Sequence, residues 1–265
     1  MTNNKNQLNH KLPKWQYISQ GSMPWIHVLY INAVLEAGGR WVQLRLKNFP
    51  KKEIIQVSQV VASLCDDYQA IFILNDHVDL VSTVGADGVH LGRKDCSISK
   101  AREYLGTEFL IGGTANTQTD ISSCIAQGAD YIGLGPYRFT TTKEKLSPIL
   151  GLEGYQSLLH SSPTYRVGSL PIYAIGGIQM ADIDPLLDTG VFGVALSGML
   201  SEKLDLKTFF QKSPEQEKIL NKNNWEAVYW NWKSSELGNV AFRKLEKGIA
   251  AINKILIENL ADAYE

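Results

Sequence analysis

From Trp15 to about Ser201, short apolar or β-branched runs alternate with longer amphipathic stretches, the pattern that builds a parallel sheet covered by helices. Eight runs read as strands: Trp15 to Ser19, Trp41 to Leu46, Ala70 to Leu74, Gly88 to His90, Phe109 to Gly112, Tyr131 to Gly133, Ile172 to Ile175 and Gly193 to Leu196. Between them, segments such as Ile26 to Ala37, Lys51 to Cys65 and Thr117 to Ala126 repeat apolar residues every three or four positions, as helices do. Ala-Gly-Gly, Gly-Ala-Asp and Thr-Gly-Val turns ahead of the strands fit helix ends closed by glycine. Strict eightfold alternation predicts a (β/α)8 TIM barrel, with an open doubly wound sheet as the alternative. The barrel is expected over residues 1–212, with a short N-terminal extension, and a helical extension over 213–265.

That extension opens on a polar stretch from Ser213 to Glu217 and ends in a stripe of Leu237, Ala241, Leu245, Ile249, Ile252, Leu256 and Leu260 at helical spacing. Trp225, Tyr229, Trp230 and Trp232 cluster just before it. Such a stripe must cover something: the barrel, a second copy in a homo-oligomer, or a pathway partner. Ligand stacking is the other reading of the aromatic cluster.

A chain of 265 residues suits one barrel, which typically takes about 250. Twenty-six Lys and Arg against 27 Asp and Glu leave a net charge of −1, so no general attraction to nucleic acid or an anionic membrane is expected. Any anion site must be local. Cys65, Cys96 and Cys124 lack CxxC spacing and leave one over, which argues against zinc or a disulfide framework and for reduced thiols. The opening MTNNKNQLNHKLPK has no signal-peptide core and no apolar run reaches transmembrane length, so a soluble cytoplasmic protein is expected. No GxSxG elbow or P-loop is present.

Active sites of this fold sit on the loops after the strands' C-terminal ends, so polar residues following each apolar run become candidates. Alternation in the second run puts Gln43, Arg45 and Lys47 on one face, either to meet an anion or as a solvated strand end. The third run breaks into Asn75-Asp76, and the fourth, Gly88-Val89-His90-Leu91-Gly92, is followed by Asp95. Two carboxylates on neighbouring strand ends can share a hard cation such as Mg2+; Asp76 could equally cap the helix from Val78, and an acid-base pair is a further option. His90 reads as a core histidine and His77 as exposed, while His10, His27 and His160 show no metal-ligand pairing. After strand six, Tyr137-Arg138-Phe139-Thr140-Thr141-Thr142-Lys143 could close on a phosphate or be a plain surface loop. Gly176-Gly177 and Ser197-Gly198, after strands seven and eight, stand where barrels often bind phosphate through backbone N–H groups.

Together, Gln43-x-Arg45-x-Lys47, Asn75-Asp76, Gly88 to Gly92 with Asp95, Gly135-Pro136 with Thr140-x-Thr142-Lys143, and Ile175-Gly176-Gly177-Ile178 resemble the thiamine phosphate synthase family, in order, from about Trp15 to Leu200. The resemblance implies a transferase of thiamine biosynthesis, joining hydroxymethylpyrimidine diphosphate to thiazole phosphate with release of diphosphate. It implies magnesium as cofactor and a pyrimidine-stabilised carbocation on the way. By the same resemblance, Arg45, Lys47, Asn75 and Lys143 contact the diphosphate and Asp76 and Asp95 hold the metal. Gln43, His90 and Thr114 lie near the pyrimidine, and Thr140, Thr142, Gly177 and Ser197 receive the thiazole phosphate. The chain departs from the family pattern at Leu46, usually acidic, at Thr114, often serine, and at Phe139, usually proline, without losing a charge of the diphosphate site. Related thiazole tautomerases typically carry a histidine where this chain has Asn116. The alternatives are therefore a tautomerase-like paralogue and a non-catalytic protein that binds thiamine precursors.

Overall fold

The computed structural model describes residues 12–139, 147–160 and 170–261, with residues 260 and 261 described by their backbone alone. The strands are β1 Trp15–Ile18, β2 Trp41–Leu44, β3 Ile71–Asn75, β4 Gly88–Leu91, β5 Leu110–Ala115, β6 Tyr131–Leu134, β7 Ile172–Ile175 and β8 Gly193–Leu196. They close in sequence order into a parallel barrel, with β8 pairing back onto β1. Helices α1 Pro24–Glu36, α2 Lys51–Asp67, α3 Val81–Val84, α4 Ile98–Leu105, α5 Gln118–Ala126, α6 Gly151–His160, α7 Ile183–Asp188 and α8 Gly198–Leu204 follow the strands in turn. Most strand ends shift by a residue or so from expectation, and two shifts bear on the site. β2 stops at Leu44, which puts Arg45 and Lys47 in the loop beyond it, and β5 runs on to Ala115, which places Thr114 inside the strand.

The barrel is packed as a stack of layers, because alternate residues of each strand point inward. Trp41, Ile73, Tyr131 and Tyr173 form one buried layer, with Trp41 edge-on to both tyrosines at ring-centroid distances of 5.0 and 4.8 Å. Two residues further along the same strands come Gln43 and Asn75, so the interior turns polar towards the strands' C-terminal ends. This aromatic plug forms the floor under the cavity described below. Gly112 admits it: a Cβ there would lie 2.2 Å from the Tyr131 ring.

After β8 the chain adds α9 Leu206–Lys212, α10 Pro214–Ile219, α11 Trp225–Ser234 and α12 Glu236–Ala261. The stripe of α12 lies against the barrel, with Ala241, Leu245, Ile249, Ile252 and Leu256 buried in the main core and α7 and α8 as neighbours. Polar ties fix the docking. Trp15 Nε1 donates to Asn253 Oδ1 at 2.9 Å, while Tyr229 and Lys233 both engage the Glu36 carboxylate at the end of α1. Trp225, Tyr229 and Trp232 are buried in this packing, which leaves them no face for a ligand; Trp230 is the exposed member of the cluster. The side chain of Leu260 lies outside the described residues.

Among the described residues no helix is long and apolar enough to cross a membrane. Cys65 and Cys124 are buried and Cys96 is exposed, all three as free thiols.

Within α1, His27 is 2% exposed, and burial, aided by the charge of Arg45, pulls its pKa down from 6.5 to about 4. The unfolded chain therefore binds the extra proton first. The stability held by the neutral ring is complete above the unfolded value and is lost as the pH falls from there towards the folded one. Between about pH 7 and pH 5 the loss amounts to ~2 kcal/mol. Urea unfolding of the native chain and of His27→Gln at both pH values checks this, since the variant lacks that part of the pH dependence.

Candidate active site

A cavity of about 390 Å3 opens at the C-terminal ends of the strands. Its lining includes Gln43, Arg45, Lys47, Asn75, Asp76, His90, Asp95, Thr114, Gly177 and Ser197, so ten of the sequence candidates come together in one place. Thr140, Thr142 and Lys143 lie outside the described residues.

Asp76 follows β3 directly. Its N–H donates to the His90 carbonyl at 2.9 Å, extending the β3–β4 ladder by one residue, and its φ of 69° then turns the chain sharply away from the strand direction. Left-handed backbone is tolerated by aspartate better than by most side chains, and such conformations concentrate at functional sites. The cap reading for Asp76 is not met: the 3-10 turn Val78–Leu80 has His77 at its N-cap position and no side-chain cap. His77 is half-buried rather than exposed.

The Asp76 carboxylate instead forms an ion pair with Lys47 and lies close enough to Asp95 for the two carboxyl groups to shift each other's ionisation. Partial burial works against its ionisation, but Lys47 and Asp95 outweigh this and hold Asp76 below the usual carboxylate range. Asp95 moves the other way: burial first, and then the neighbouring Asp76 charge, push its pKa up. One of its oxygens accepts the Gly92 N–H at 2.7 Å, which fixes the turn after β4. Two carboxylates in contact are stable with a shared proton or a shared cation. Beside them Asn75 is buried, and its Nδ2 has no hydrogen-bond partner among the described residues, a cost of about 1–3 kcal/mol unless an acceptor arrives from the cavity.

Deeper in, His90 is buried with Nε2 3.0 Å from Thr114 Oγ1 and Nδ1 3.3 Å from the Tyr131 hydroxyl. Gln43 donates to Gln16 Oε1 at 3.0 Å. His90 is thus a satisfied core histidine that also borders the cavity. On the opposite wall, Gly176 and Gly177 have φ of 98° and 68°, and a Cβ on Gly177 would stand 2.8 Å from the Phe139 carbonyl. Only glycine fits that turn without strain.

Arg138 reaches across to Asp182 with two bonds of 2.7 and 2.9 Å, tying the loop after β6 to the Gly177 turn. Asn116 donates to the carbonyls of Gly135 and Pro148 at 3.0 and 2.9 Å, so its amide serves the same wall. Sequence reading passed over Gln20, Gln179 and Glu202, all of which line the cavity, and named Arg138 only as part of the loop after strand six. Gln20 stands just after the first strand, where the rule applied to the other strand ends would have found it. Glu202 lies five residues beyond Ser197 on α8, and no sequence signal marked it.

A family model described as thiamine monophosphate synthase matches residues 26–200. A thiamine-phosphate synthase of Flavobacterium johnsoniae is 46% identical over 203 residues, covering 77% of this chain and 95% of that protein. One from Bacteroides thetaiotaomicron is 43% identical over 214 residues, covering 81% and 94%. Among solved structures, a thiamine phosphate pyrophosphorylase from Pyrococcus furiosus superimposes with a TM-score of 0.66 at 24% identity, over 93% of this chain and 96% of that one, a likeness of fold. With more than half of the chain matched by the family model and relatives above 40% identity over nearly their whole length, the chain belongs to the thiamine monophosphate synthase family.

Proposed function

We propose that this cavity joins hydroxymethylpyrimidine diphosphate to thiazole phosphate, giving thiamine phosphate and diphosphate. The observation that carries the reading is the line Lys47, Asp76 and Asp95, a cation against two touching carboxylates at the cavity mouth, with Arg45 and the unpartnered Asn75 amide alongside. A carboxylate pair with neighbouring cations suits a metal-bound diphosphate better than an acid-base couple.

The residues fit magnesium. Among the described residues no group of three or more His, Cys, Asp or Glu could hold a metal. Magnesium commonly takes one or two protein carboxylates and completes its shell with phosphate oxygens and water, so Asp76 and Asp95 suffice. When bound there, it neutralises charge on the departing diphosphate. Arg45 and Lys47 add positive charge on the same group, and Asn75 Nδ2 supplies a donor with no match among the described residues. Lys143 is assigned to the same diphosphate and Thr140 and Thr142 to the thiazole phosphate, although all three lie outside the described residues.

Gln43, His90 and Thr114 line the inner cavity and are assigned to the pyrimidine. The Gly177 and Ser197 turns are assigned to the thiazole phosphate. As the C–O bond to diphosphate breaks, the thiazole nitrogen supplies the electron pair for the new C–N bond. The protein's contribution is to hold both partners aligned and to stabilise charge, with no strong base required.

Incubating the chain with both substrates and Mg2+ tests this. Thiamine phosphate and diphosphate are expected in equal amounts, with formation stopped by a chelator and restored by excess magnesium. A folded chain that makes no thiamine phosphate would refute the assignment.

A further inference from the structure

Arg45 and Lys47 sit on a loop without strand pairing of its own, so something must fix its path. The β1–β2 register runs to Ile18 opposite Gln43, and the last main-chain bond of the pair is Ser19 N–H to the Gln43 carbonyl at 2.9 Å. One step further the Ser19 side chain takes over. Its Oγ accepts the Arg45 N–H at 3.1 Å and lies 2.8 Å from His27 Nδ1. With the oxygen accepting from Arg45, its own proton is available to His27 Nδ1, and the neutral ring then carries its hydrogen on Nε2.

The imidazole is held on two further sides. The Phe49 ring, in the same loop as Arg45, stands edge-on to it with centroids 6.4 Å apart. Gly21, in the loop after β1, presses against it: a Cβ there would be 3.0 Å from His27 Cδ2 and 3.2 Å from Nε2. Ser19 is 0% exposed, and neither Ser19 nor His27 lines the cavity, so neither touches a substrate.

We propose that Ser19 and His27 are positioning residues for diphosphate binding: wedged between the loops after β1 and β2, they fix the backbone at Arg45 and through it the direction in which Arg45 and Lys47 meet the leaving group. This rests on the diphosphate reading of the cavity. A role confined to general stability would weaken both substrates alike. Among the described residues the contacts of Ser19 and His27 run to Arg45, Phe49 and Gly21 on the loops after β1 and β2, whereas the Gly177 and Ser197 turns belong to other loops.

The test is steady-state kinetics of Ser19→Ala together with competition by inorganic diphosphate in the presence of Mg2+. Removing one buried hydroxyl that serves a main-chain donor is expected to raise the KM for the pyrimidine diphosphate and the inhibition constant of inorganic diphosphate by about 5- to 20-fold. The KM for thiazole phosphate should stay within about two-fold. Should Ser19→Ala not fold, His27→Gln carries the same expectation. Constants unchanged within about two-fold in a folded variant, or an equal rise for both substrates, would overturn the proposal. A wild-type chain that neither turns over nor is inhibited by diphosphate would overturn the underlying site reading with it, and so is told apart from failure of the wedge alone.

Discussion

Asp76→Asn and Asp95→Asn each lower magnesium-dependent turnover by about 10²- to 10³-fold, the loss typical of removing a group that meets transition-state charge. Each variant leaves a single carboxylate where two met, so the cation is held more weakly and more Mg2+ is needed to reach the residual rate. Stability changes little. The Lys47–Asp76 pair is partly exposed, at 43% and 19%, and an exposed pair of this kind is worth at most ~1 kcal/mol. Asparagine at position 95 retains an oxygen for the Gly92 N–H, which makes it a cleaner probe than alanine. Turnover against Mg2+ concentration, with thermal unfolding as the control, checks the expectation. Near-normal rates and magnesium requirement in both variants would contradict the metal assignment.

Leu245→Ala, far from the cavity, is expected to cost about 3 kcal/mol of stability. Leu245 is fully buried on α12, in the seam where the C-terminal helices meet the barrel, and truncation would leave a cavity there. Deleting residues 213–265 goes further, uncovering the side of the barrel that α11 and α12 cover and leaving the Glu36 carboxylate without Tyr229 and Lys233. Loss of soluble protein, or a melting temperature lower by 10 °C or more, as an estimate from the stability cost, is expected for the deletion. We propose that the extension acts as a staple of the barrel. Unchanged melting and full activity of the deletion would show that it is a dispensable attachment.

The barrel was legible because strand and helix periods differ and alternate in order, which eight apolar runs made plain before any contact was known. Strand ends were less legible. Leu46 continues the alternation of β2 and is buried, yet Ser19 rather than a neighbouring strand receives the Arg45 amide, so the ladder ends at Leu44. At Asp76 the sequence allowed a cap or a ligand. The deciding facts, a left-handed φ and the contacts with Lys47 and Asp95, depend on tertiary geometry. The tail's stripe announced a buried helix, but not which surface it covers, because a periodic pattern carries no address. The Ser19–His27 wedge had no signal at all: a serine after a strand and a histidine in an apolar helix are unremarkable until the two loops between them close.

The most direct test of the central claim is a crystal structure of the chain with Mn2+ in place of Mg2+ and with inorganic diphosphate, the ion located by its anomalous signal. The account predicts one cation bridging Asp76, Asp95 and diphosphate oxygens at about 2.0–2.3 Å, with Arg45 and Lys47 on the same diphosphate. An ion or a diphosphate bound elsewhere, with Asp76 and Asp95 left to each other and Lys47, would contradict it.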